Sequence, residues 1–434
     1  MKNNEAGLDP SRGGTAGKRG APVPLAPSFG VYSEVGKLRA ALVCQPGLAH
    51  ERLSPRTCRE LKFDAPVWVE RAQREFSQFV DALTQHGVEV LELHALLAQT
   101  LRLPEARAWL LDRLLAHLSV AAGLGVEPRA ACDELDATRL AELLIGGITL
   151  GDLGLPTSGA IGLALALHPF VLPPLPHSLT MRASHSWVQC GVTLNLAARR
   201  GPRSEALLVA TVYRFHPRFK SLRPRVWWGD ADAASLHACA EGGDIMPLGR
   251  GVVLIGTGAR TQPQAALQIA QALFEGGAAQ TVIAAQLPQP GANQPLECLF
   301  TQCSPDVVTY RPDVVDRISC QELRPAAHGA GITVRTLAGV HLLDVLSEAL
   351  SAPTFKAIVS GCDSHDGTAE PWDDGNGVLA LDPGIVIAFE RNTRTNKRLR
   401  QAGVEVIEVP GSELARAGAA IHSLCCPIAR DAVH

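Results

Sequence analysis

Long apolar runs, a surplus of one charge and patterned cysteines are all missing from this 434-residue chain. The most apolar stretch, GAIGLALALHPFVLPPLP at 159–176, is too short and too often broken by proline to span a bilayer, which takes about 20 apolar residues. The formal net charge is −3, so no basic field is available for nucleic acid. Neither a nucleic-acid nor a membrane partner is expected. The 11 cysteines show no C-x-x-C pair and no regular spacing. That excludes a disulfide scaffold and the common zinc signatures, and it fits a reducing, cytoplasmic setting. No metal-ligand cluster and no phosphate-cradling glycine loop stands in the sequence, so no metal and no cofactor is expected. Residues 1–28 are rich in Gly, Pro and basic residues but lack an apolar core segment. They read as a disordered tail, not a signal peptide.

What is there has the rhythm of an α/β protein. Residues 38–43 form a buried-strand run closed by Pro46-Gly47. The stretch 66–87 has apolar residues at helical spacing and stops at Gly87, and VEVLELH (88–94) reads as a strand directly after it. That helix-then-strand unit recurs at 395–414. Further strand candidates are 206–215, 251–258, 280–287, 306–312 and 377–391, with a helix signal at 262–277. Residues 103–123 and 127–147 carry helical patterns without strand signals, which predicts an inserted helical bundle. The expected organisation is a tail (1–28), a first module (29–97), the bundle (98–158) and the remaining modules (159–434). A repeated strand-rich unit with one helix suggests modules arranged in a cycle.

The stretches FGVYSEVGKLR, FDAPVWVERA, GVTLN, EGGDIMPLGRGVVLIG, DVVTYRPDVV, WDDGNGVLAL, RNTRTN, PGSEL and CPIARD, spread over residues 29–431, resemble the arginine deiminases. The resemblance implies a pseudo-five-fold α/β propeller of ββαβ modules with an inserted helical domain. It also implies hydrolysis of L-arginine to L-citrulline and ammonia without a cofactor. A guanidinium carbon is a poor electrophile, so such a site needs a thiolate. Carboxylates must grip the flat cation and fix its carbon against the sulfur. A histidine must protonate departing ammonia and then activate water.

Three of those groups are missing at the matching positions. Where the family has F-T-R-D before a Trp, this chain reads LTMRASHSW, which puts Ala183 at the place of the first guanidinium-binding Asp. The family's Asn just upstream corresponds to His177. The family's H-L-D stretch before DVVT is replaced by PLECLFT, so Pro295 stands at the place of the catalytic His and Glu297 at that of the second Asp. Anchored on CPIARD and His422, the nucleophile position is Ser423, a hydroxyl that stays un-ionised near neutral pH. Gly418 stands where a substrate-binding Arg is expected. Glu241, Asp244 and Arg260 match pocket acids and a carboxylate-binding Arg, although Ala259 replaces the Glu before that Arg. A turn with local hydrogen bonds accounts equally well for Glu241 and Asp244, and a structural ion pair for Arg260.

Two readings follow. In the first, the chain is a pseudoenzyme that binds L-arginine or a related small molecule, or assembles as a homo-oligomer or with an active paralogue. In the second, it is a working hydrolase on a guanidine or amide. The nucleophile is then relocated to Cys425 or Cys426, with His422 or His185 as base. Losing one member of a catalytic unit already removes most of the rate, which favours the first.

Overall fold

The computed structural model describes residues 29–61, 63, 65–115, 128–155, 170–195, 204–230, 238–288, 294–327, 331–360 and 374–433. The tail at 1–28 and the second half of the expected helix at 103–123 lie outside them. Five sheets of three or more strands are present among the described residues. Each combines an antiparallel pair with a parallel strand reached through a helix. In the three-stranded sheets the parallel pairs are Gly191–Leu194 with Arg225–Trp228, Val307–Tyr310 with Lys356–Val359, and Ile385–Phe389 with Glu405–Val409. In the largest sheet, Val252–Thr257 runs parallel to Thr281–Gln286 across the helix Pro263–Glu275. In the first, Leu38–Val43 runs parallel to Glu89–Glu92, and its antiparallel partner is the last strand, Cys425–Arg430. The two ends of the described chain are thereby sewn into one sheet.

The strand Leu38–Val43 works on both faces. Leu38, Ala41 and Val43 pack under the helix Val69–Gln85, whose Phe76, Phe79 and Leu83 recur at helical spacing. Ala40 and Leu42 face the helices Leu93–Thr100 and Ala137–Gly146. Phe79 and Leu83 are fully buried, each stabilising by about 2–3 kcal/mol. The helix ends at Gly87, whose φ of 76° favours a residue without Cβ. Its buried Glu75 accepts from the backbone N–H groups of Glu413 and Leu414 at 2.8 and 3.2 Å, and Glu413 accepts from Trp68 N at 3.0 Å. Glu75 thus caps the start of the helix Ser412–Arg416, and Glu413 the start of Val69–Gln85.

One expected strand is a helix. Residues 206–215 lie in the helix Ser204–Phe215, with eight of its 12 residues buried. A helix covered on several sides gives an unbroken apolar run, which periodicity alone does not separate from a buried strand; its length is the better guide. Helices also run over Pro104–Leu115 and Pro128–Glu134. The pattern at 127–147 breaks at Asp136, whose side chain caps the helix Ala137–Gly146 by accepting from Thr138 N and Arg139 N. Among the described residues no helix is long and apolar enough to cross a membrane.

Candidate functional site

Four short helical turns meet in the interior: Met181–Ser184, Gly242–Asp244, Leu296–Cys298 and Ile421–Leu424. Their approach depends on glycine. A Cβ on Gly242 would fall 1.9 Å from Arg182 O, and one on Gly243 would fall 2.6 Å from Glu297 Oε1 and 2.9 Å from Pro295 Cβ. Four buried side chains close a ring there. Arg182 Nη2 donates to Glu34 Oε1 at 2.5 Å and to Ile245 O at 3.0 Å, and its Nε lies 3.4 Å from Glu297 Oε2. His422 Nδ1 lies 2.8 Å from Glu297 Oε2, and its Nε2 3.1 Å from Glu34 Oε2. Each carboxylate faces both bases, and each base both carboxylates. Burial works against ionised Glu34, but Arg182 and His422 outweigh it and hold the carboxyl down at about 2.

A second group adjoins the first. Asp244 accepts from Thr261 Oγ1 at 2.6 Å and from Leu296 N at 2.8 Å. Burial and then the charge of Glu241 raise Asp244 to about 7, against those hydrogen bonds. Glu241 is paired through both oxygens with Arg260 Nη1.

The fold therefore brings together Glu241, Asp244, Arg260, Glu297 and His422, with Pro295 beside Gly243 and Ala183 next to Arg182 in the same turn. Ser423 follows His422, and its hydroxyl donates to Ala420 O at 2.8 Å. His177 is exposed and packs on the Phe63 ring, centroids 4.8 Å apart. Gly418 sits exposed at φ 77°, with open space where a side chain would start. Cys425 and Cys426 are buried in the last strand. Burial pushes the Cys425 thiol up to about 12, although Arg430 and Arg182 oppose it, and pushes Cys426 higher still. The contact of Cys426 Sγ to residue 185 is to the carbonyl oxygen, at 3.5 Å. The His185 ring is buried, and burial followed by the charge of Arg182 lowers it to about 3. Cys298, beside Glu297, is the site's partly exposed thiol, and burial and then Glu297 push it up as well. A buried polar framework is present, but no thiol in it is disposed to ionise.

Sequence reasoning missed Glu34 and Arg182 as members of this framework. Both were visible as single charges in otherwise apolar or small-residue stretches, FGVYSEVG and LTMRAS, the setting in which a buried charge must find a partner.

A family model described as arginine deiminase matches residues 59–430. The chain belongs to the arginine deiminase family. Among solved structures it is similar to an amidinotransferase of the saxitoxin biosynthetic pathway from Microseira wollei, at 12% identity over 94% of this chain and 98% of that one, TM-score 0.56. It is also similar to the inosamine-phosphate amidinotransferase of Streptomyces griseus, at 11% identity over 94% and 98%, TM-score 0.51. At such identities the likeness concerns the fold alone, the mixed α/β fold of guanidine-modifying enzymes.

Proposed function

We propose that this member of the family has lost deiminase chemistry while keeping the buried polar framework of its pocket. The observation that carries the reading is the missing nucleophile: Ser423 stands at its position, and burial pushes the thiols of Cys298, Cys425 and Cys426 up. Glu297 occupies the position at which the family would grip a substrate guanidinium. The nucleophile position is Ser423, its hydroxyl committed to a carbonyl, and the acid–base position is Pro295. The residual role is binding of L-arginine or a related small molecule, or assembly with copies of itself or with an active paralogue. The relocated-nucleophile reading is disfavoured by the burial of Cys425 and Cys426.

The five sheets, each with an antiparallel pair and a helix-linked parallel strand, support a pseudo-five-fold ring of ββαβ modules. The helices at 104–115, 128–134 and 137–146 support a helical insertion after the first module.

The test is citrulline release from arginine by the purified chain. No turnover above background is expected between about pH 5 and pH 9, and a rate within a hundredfold of ordinary enzymes, about 1–1000 per second, would overturn the proposal.

A further inference from the structure

At the edge of the first sheet the fold assembles a group that no spacing in the sequence announced. Val43 and Glu92 are register partners in a parallel pair, so Cys44 and His94 leave the sheet side by side. Cys44 Sγ lies 3.9 Å from His94 Nδ1, and Glu92 Oε1 lies 2.8 Å from the same Nδ1. The sulfur, the nitrogen and a carboxylate oxygen all fall within 4.8 Å of one another. Among the described residues this is the group of at least three His, Cys, Asp or Glu side chains close enough to share an ion.

The geometry separates two uses of such a triad. A proton relay needs the thiol on one imidazole nitrogen and the carboxylate on the other. Here both converge on Nδ1, which has a single in-plane position to offer. The carboxylate takes it, and at 3.9 Å the thiol is left at the margin of hydrogen bonding. A cation at the centre of the three atoms satisfies all of them at once. With metal bonds of about 2.3 Å to sulfur and about 2.0–2.1 Å to nitrogen, a tetrahedral centre sets S and N about 3.6 Å apart. The observed separation is within a few tenths of an ångström of that, and Glu92 Oε1 would need to withdraw from Nδ1 by about half an ångström.

The surroundings favour a fixed site with an entrance. Glu92 Oε2 is anchored by Ala95 N at 2.9 Å, at the start of the helix Leu93–Thr100, which leaves Oε1 turned inward. Cys44 is buried, while the Glu92 and His94 side chains are 25% and 22% exposed, so a hydrated ion can reach the group and keep a water as its fourth ligand. One thiolate, one imidazole and one carboxylate form a borderline-soft donor set, suited to zinc and not to calcium or magnesium.

We propose that Cys44, Glu92 and His94 bind a single zinc-class divalent ion with one coordination position open to water. Binding releases the Cys44 proton to solvent, and His94 presents Nδ1 as a neutral imidazole with its proton on Nε2.

The test uses the full chain, stripped with chelator and titrated with Co²⁺ and then Zn²⁺. Expected are one equivalent bound, a thiolate-to-cobalt charge-transfer band, tetrahedral ligand-field absorption, and displacement of both signals by Zn²⁺. Cys44→Ser should abolish the charge-transfer band, and His94→Gln should weaken binding by more than about a hundredfold. If Cys44→Ser fails to fold by circular dichroism, His94→Gln decides alone, because that side chain is partly exposed. Absence of a thiolate band would take Cys44 off the metal, and a band kept at undiminished affinity in either folded variant would place the metal on another cysteine; either result overturns the assignment.

Discussion

Arg182 and His422 share the same two carboxylates, one base reaching Glu34 Oε1 and the other Glu34 Oε2, and both meeting Glu297 at Oε2. The ring is closed, so removing any member strands a buried charge. Arg182→Met should destabilise the protein by about 3–5 kcal/mol, because two buried carboxylates would lose the guanidinium they share. Arg182→Lys should recover only part of the loss, since a point charge does not reproduce a planar fork. Urea unfolding measures both, and a loss under about 1 kcal/mol for Arg182→Met would mean that water or another cation takes the vacated place.

Asp244 makes stability depend on pH in a direction opposite to most carboxylates. Its folded pKa, raised to about 7 from 3.8 by burial and by Glu241, means that the folded state holds the proton more tightly. Its contribution is fully present below the unfolded value and is lost as pH rises through about 7. Asp244→Asn, which keeps the shape of the protonated acid, should gain stability relative to the parent between pH 4 and pH 8, by on the order of 4 kcal/mol. Denaturant midpoints at both pH values check it. An unchanged difference between variant and parent would show that Asp244 ionises freely, held by Thr261 and Leu296 N.

Local patterns in the sequence were enough to find the strands at 252–257, 281–286 and 307–310, as short apolar runs, and the helix Val69–Gln85, whose one buried face writes its period into its residues. The helix Ser204–Phe215 was not found, because burial on several sides erased that period. The substitutions at 183, 295 and 423 were legible against the family's motifs. The Glu34–Arg182 contact joins residues 148 apart, and Cys44–His94 joins residues 50 apart. Pairings of that kind depend on which turns the folded chain brings together, and residue spacing carries no record of them.

Cys425 and Cys426 should react slowly with iodoacetamide at neutral pH. Both are buried on the strand Cys425–Arg430, with thiols pushed well above their ordinary range. The exposed Cys190 should be alkylated first, and the pair only on unfolding. Peptide mass spectrometry after short exposures reads the order. Rapid modification of either adjacent cysteine, slowed by added arginine, would revive the relocated-nucleophile reading.

Repair of the site should be stepwise and incomplete. Ser423→Cys alone should remain inactive. Its thiol would replace a hydroxyl bonded to Ala420 O, in a site where His422 is held by Glu297 and Glu34 and no free base stands ready. Adding Pro295→His, Ala183→Asp and Glu297→Asp would restore the three missing groups and shorten the remaining carboxylate. A histidine at 295 must still fit beside Gly243. Gly418 offers no side chain for the substrate's own carboxylate. Misplacement by about 1 Å costs on the order of a hundredfold, so the fourfold variant should give at most weak citrulline release. Single and fourfold variants, checked for folding by circular dichroism, are compared in the same assay. Robust turnover by Ser423→Cys alone would reveal an acid–base group already in place, with His422 and His185 the first to substitute.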